Sequence, residues 1–92
     1  MPTNDPTRCT YEEFKEVARE LGLSWRAAPN AWRWAVLGIK SSNFNPLEVT
    51  TTTLTKKQLA AAKKRGHEAF PRMNDEMWDV FAAVVDKLTE GS

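Results

Sequence analysis

The residues in this chain that could do chemistry are mostly cationic, and they fall in two runs. Arg26, Asn30, Arg33 and Lys40 lie in a stretch that also holds Trp25, Trp32 and Trp34, three of the four tryptophans. Lys56, Lys57, Lys63, Lys64, Arg65, His67 and Arg72 form the second run. On a helix, Lys56 and Lys63 share one face by their i, i+7 spacing, with Lys64 close by, which suits salt-sensitive contacts to phosphates. The same charges also suit a solvated helix C-terminus, where the dipole favours cations. Groups for catalysis are scarce. His67 is a lone histidine with no acid, cysteine or second histidine spaced for a shared site, so it reads as a helix-end or surface residue. Cys9 is the single cysteine, which excludes an internal disulfide and leaves no zinc spacing. Glu12, Glu13, Glu16 and Glu20 belong to the outer side of one helix, and Asp75, Glu76 and Asp79 to the start of another. Solvation and the helix dipole explain both sets. No glycine-rich phosphate loop or nucleophile elbow occurs. The reading is of a chain that is not an enzyme and uses no cofactor and no metal.

The bulk numbers agree with a small folded binder. Ninety-two residues, 41% of them apolar, form one domain with a single modest core. The longest apolar run falls well short of the ~20 residues of a membrane span. The first residues lack the basic and apolar regions of a signal peptide. A soluble, cytoplasmic protein with no membrane partner is expected. The net charge of +1 hides an asymmetry: −2 over residues 1–25, +7 over 26–72 and −4 over 73–92. A basic middle between acidic ends either binds a polyanion or attracts the chain's own helices.

The elements that must position these residues read as all-α, a compact single-domain cluster of about four short helices. Residues 1–9 form a flexible leader, and 10–92 a single helical domain. Thr10 with Glu13 makes a capping box for a helix over about 11–21, closed by Gly22 in a left-handed conformation. Pro29 belongs in the first turn of the next helix, about 29–40, after a turn at 24–28. There Ala31, Trp32, Ala35, Val36 and Ile39 share one sector, with Trp32 the core anchor. Arg33, Trp34, Leu37 and Lys40 lie on or beside the opposite side. Residues 41–46 make a loop that Phe44 and Leu47 anchor to the core. The Thr-rich segment 49–54 has strand propensity but no second β-rich run to pair with, so it reads as an extended linker, the alternative being a small strand paired with residues near the leader or across a dimer. Thr55 and Gln58 box the start of a helix over about 55–65, ended by Gly66, and Asn74 caps the last, about 74–90.

Residues 14–24, Phe-Lys-Glu-Val-Ala-Arg-Glu-Leu-Gly-Leu-Ser, carry a motif. Val17, Ala18, Leu21, Gly22 and Leu23 in that order resemble the first helix and turn of the helix-turn-helix domains of bacterial and phage regulators. The resemblance covers about a quarter of the chain, and Pro29 departs from it by falling inside the expected recognition helix. It implies a DNA-binding regulator or accessory factor whose second helix, from Ser24 to about Ile39, meets the major groove of duplex DNA. Arg26, Asn30, Arg33 and Lys40 would then face phosphates and base edges, with Lys56, Lys63, Lys64 and Arg65 clamping the backbone.

The tryptophan density supports a rival reading. Aromatics and arginine dominate interface hot spots, so Trp34, Leu37 and Arg33 could instead be the contact surface of a protein–protein module. Such a module would be an adaptor, an inhibitor of a larger protein, or a homodimer that buries Trp34.

Overall fold

Three of the four helices in the described residues begin where the sequence supplies an oxygen to cap them; the computed structural model describes residues 8–40 and 45–90. α1 (Tyr11–Glu20) starts at Thr10, whose Oγ1 accepts from the Glu13 N–H at 3.1 Å. It ends at Gly22, φ 71°, where the N–H groups of Gly22 and Leu23 donate to the carbonyls of Arg19 and Ala18, both at 3.0 Å. Those paired bonds make a Schellman cap. α2 (Ala28–Lys40) follows a turn closed by the Ala27 N–H on the Ser24 carbonyl. Pro29 sits in its first turn, where a missing N–H loses no bond, so it divides two segments and does not kink one helix. α3 (Lys56–Arg65) carries the complete reciprocal box: Gln58 N–H to Thr55 Oγ1 at 3.0 Å and Thr55 N–H to Gln58 Oε1 at 2.9 Å. At Thr10 the box is one-sided. α4 (Asp75–Thr89) is capped by Asn74, whose Oδ1 accepts from the Met77 N–H at 2.8 Å.

The chain is mostly helical, but not purely so. β1 (Arg8–Thr10) pairs antiparallel with β2 (Thr53–Thr55), in the register Arg8 to Thr55, Cys9 to Leu54 and Thr10 to Thr53. This corrects two expectations. Residues 8 and 9 are not part of a loose leader; residues 1–7 lie outside the described residues. Nor is 49–54 an extended linker. A 3₁₀ turn at Pro46–Glu48 continues into a tight turn, with the N–H groups of Thr51 and Thr52 on the Glu48 carbonyl, and only then does the strand begin. The physical reason is pairing plus burial: Cys9 and Leu54, opposite one another, are both fully buried beneath the two-stranded ribbon. Leu47 fails as an anchor, being 88% exposed, because its 3₁₀ turn faces it outward. Phe44 lies outside the described residues.

The core is a chain of aromatic contacts crossing the helices. Trp32 of α2 meets Tyr11 and Phe14 of α1, with ring centroids at 6.3 and 5.4 Å. Phe14 meets Phe81 of α4 at 6.3 Å, and Phe81 meets Trp78 and Phe70 at 5.4 and 6.1 Å. Ala28, Ala31 and Ala35 are buried beside Trp32, so small residues let α1 and α4 close around the large one. Burying a tryptophan removes about 200 Å² from water, which stabilises by roughly 4–6 kcal/mol before entropy is counted. The indole also bonds outward: its Nε1–H donates to the Val49 carbonyl at 2.8 Å in a buried setting. None of the described helices is long and apolar enough to cross a membrane.

Trp32→Phe should therefore cost more than its lost volume. It leaves the Val49 carbonyl buried without a donor, and urea melts should show a loss of about 2–4 kcal/mol. A loss below about 0.5 kcal/mol would mean that the bond does not hold the turn.

Candidate functional site

On the outward side of α2 and the turn before it Arg26, Asn30 and Arg33 are exposed, with Leu37 and Lys40 half-buried along the same side. Trp34 is half-buried beside them. Its ring has the Arg33 Cζ at 5.6 Å and the Arg72 Cζ at 5.5 Å from its centroid, both within cation–π range. Arg72 comes from a distant part of the chain, the loop between α3 and α4. That loop is tightly built. The N–H groups of Phe70 and Met73 donate to the carbonyls of His67 and Phe70, and His67 Nε2–H donates to the Met73 carbonyl at 2.6 Å. The His67 ring stacks on Trp78 at 5.4 Å with planes 2° apart, and Nδ1 lies 3.8 Å from an Asp75 carboxylate oxygen. This histidine is a clip for the loop, at a helix end as its isolation in the sequence predicts.

Gly38 is what lets the loop dock. A Cβ there would come within 2.5 Å of the Phe70 ring, so only glycine admits that ring onto α2. Phe70, 3% exposed, in turn carries the Arg65 guanidinium at 5.4 Å from its centroid. Between Trp34, Leu37 and Gly38 on one side and Phe70, Pro71 and Arg72 on the other lies a cleft of about 200 Å³.

The structure thus gathers Arg33, Arg65 and Arg72 around two aromatic rings. It does not gather every residue expected of a basic face. Lys63 is spent on an ion pair with Asp86 of α4. Lys56 lies at the far end of α3 from Arg65, roughly 14 Å along the axis at 1.5 Å per residue. Lys64 is exposed. Of the nine lysines and arginines in 26–72, Lys63 alone has a carboxylate partner among the described residues. The basic middle is therefore not neutralised by the acidic ends.

Arg72 and Trp25 escaped the sequence reading as site residues. Nothing local marks Arg72, although Gly38 in a helix opposite an aromatic loop is a signal of close approach. Trp25, at 61%, is the most exposed tryptophan of the described residues, and Trp34, the candidate for a protein-contact surface, is half-buried. The Trp25 ring borders a second cleft, about 490 Å³, with Glu12, Lys15, Glu16 and Arg19. The Arg26 Cζ lies 5.8 Å from its centroid.

α1 and α2 pack together, but the residues between Glu20 and Ala28 number seven. The turn of a helix-turn-helix unit has about three or four. The extra length follows from Pro29, which bars an earlier helix start, and from the Ser24–Ala27 turn that precedes it. No group of three or more His, Cys, Asp or Glu side chains able to hold a metal occurs among the described residues. Compared with protein-family models, curated proteins and solved structures, the chain matches none.

Cys9 is no nucleophile. Burial pushes its thiol up to about 12, the Glu13 carboxylate adds to the rise and Lys56 opposes it. The thiol stays protonated while the fold holds, and stability it contributes is present below the ordinary cysteine value and lost as pH rises toward about 12. At pH 8 a chromogenic disulfide reagent should leave native Cys9 unmodified and react at once after denaturation. Rapid labelling of the native protein would show that β1 opens readily.

Proposed function

We propose that this chain is a small nucleic-acid-binding protein, with a regulatory or accessory role on DNA, whose contact face is built on Arg33, Trp34 and Arg72. The observation that carries the reading is that three guanidiniums lie against aromatic rings with no carboxylate paired to any of them. A guanidinium placed over a ring makes no N–H···O bond to it, so its N–H groups stay available to a phosphate in two-point geometry. The ring limits its motion beforehand, so less entropy is lost on binding. Asn30 and Arg26 extend the face along α2. The long turn after Gly22 weakens the case for base reading by an inserted α2 and favours contacts to the backbone.

A protein-interaction module is the second reading, and Trp25 favours it: a mostly exposed indole beside a cleft of mixed charge is a natural anchor for a partner. Trp34, the sequence's candidate for that role, is half-buried, whereas Trp25 is mostly exposed.

Fluorescence anisotropy with an arbitrary labelled DNA duplex across a salt series tests the first reading. Affinity should fall steeply with salt. The Arg33→Ala, Arg72→Ala double variant should bind more weakly on every sequence and flatten the log–log slope by about 2. Lys63→Ala should leave the slope unchanged, because Asp86 already holds that charge. A double variant with the parent's slope would remove this face from the interface.

A further inference from the structure

The cleft beside Trp34 has a composition that phosphate alone does not explain. Its walls are Trp34, Leu37, Gly38, Ala69, Phe70 and Pro71, all without a charge, and Arg72 completes the lining. A phosphate pressed against such a floor would be desolvated without compensation. What fits is a flat ring with an apolar face and a phosphate close by. The volume, about 200 Å³, is smaller than the sites that enclose a whole small molecule, which run from about 300 Å³ upward. It admits a planar group and leaves the rest of the ligand outside, where Arg33, Arg65 and Arg72 lie.

We infer that this cleft takes an unpaired nucleobase, so that the preferred ligand of the basic face is single-stranded nucleic acid. The inference rests on the proposed function and narrows it. In a duplex the bases are stacked on one another and offer only their edges in the grooves. In a single strand each base has a free face, which stacks on an indole ring or on a guanidinium plane while cations hold the adjoining phosphates. Trp34 and Arg72 supply both kinds of surface at one place. Gly38 lets the Phe70 ring close against α2 and form one wall of the cleft. The other cleft lacks the charge for this role. Beside Trp25 the carboxylates of Glu12 and Glu16 offset Lys15 and Arg19, so its walls give a phosphate backbone no net attraction.

The test compares a short labelled single-stranded oligonucleotide with its own duplex at one salt concentration. The parent protein should bind the strand more tightly, and the strand should quench tryptophan fluorescence. Trp34→Leu keeps an apolar side chain but removes the stacking face, and should weaken strand binding by about fivefold to a hundredfold, a larger loss than it causes in duplex binding. Trp34→Phe should restore most of the loss, and Trp25→Ala should have no effect. Thermal melts of each variant check folding. Should Trp34→Leu fail to fold, Arg72→Gln, at an exposed position, serves instead and should weaken the strand more than the duplex. Duplex binding equal to or tighter than the strand, with Trp34→Leu lowering neither, would overturn the inference and leave the proposed function standing. So would a nucleoside monophosphate that binds as tightly as the strand. Absence of binding to strand and duplex alike at low salt would remove the proposed function itself.

Discussion

The bond from the Trp32 indole to the Val49 carbonyl is the constraint on which most of this fold depends. A buried carbonyl without a donor costs about 1–3 kcal/mol, and Trp32 is the side chain that supplies it. Because of that bond, the turn at Val49–Thr52 is held against α2. The same turn sets where Thr53 begins, and so the register in which β2 meets β1. β1 runs directly into the Thr10 cap of α1, and β2 directly into the Thr55 cap of α3. One indole therefore fixes the start of two helices that never touch it through a backbone bond.

The same helix carries the candidate site on its other side, and the spacing explains how. Trp32 and Trp34 are two residues apart, about 200° around the axis, so a helix that buries the first must turn the second away from that core. The second is then met by a loop. Gly38 admits Phe70, Phe70 fixes Pro71 and Arg72, and Arg72 reaches the indole. His67, bonded to the Met73 carbonyl and stacked on Trp78, closes that loop from behind. The site is assembled from two segments more than thirty residues apart in the chain, but each is rigid for its own local reason.

Much of this was legible in the sequence, and the misses share a cause. Caps at Thr10, Thr55 and Asn74, stops at Gly22 and Gly66 and the burial of Trp32 all follow from neighbours within a few residues. The strand pair stands in the sequence only as the alternative to a linker, because its partners are some forty-five residues apart and each is three residues long, too short for alternation to register. Leu47 was read as an anchor because apolar residues in loops usually tuck in, but a 3₁₀ turn gives each side chain a fixed direction and this one points out. For the site, Arg33 could be placed on an outer face by periodicity alone. Arg72 could not, since its position is a property of the loop's docking and not of its local sequence. The ion pair of Lys63 is illegible for the same reason: Asp86, its partner, comes from another helix.

The arrangement of charge then becomes intelligible. Asp86 and Asp75 of α4 reach Lys63 and His67, at the two ends of the region where α3 turns back into α4. Those contacts tie the acidic helix to its neighbour and leave the arginines without carboxylates. Keeping such a face costs little in a solvated setting. Two like charges a few ångströms apart repel by about 1 kcal/mol in water. A guanidinium on an aromatic face recovers about 0.5–1 kcal/mol, and Arg33, Arg65 and Arg72 each have such a face. The rings that hold the arginines in place thus offset the repulsion of gathering them. A fold can carry concentrated positive charge on these terms without pairing it internally, which keeps the charge available to an anionic ligand.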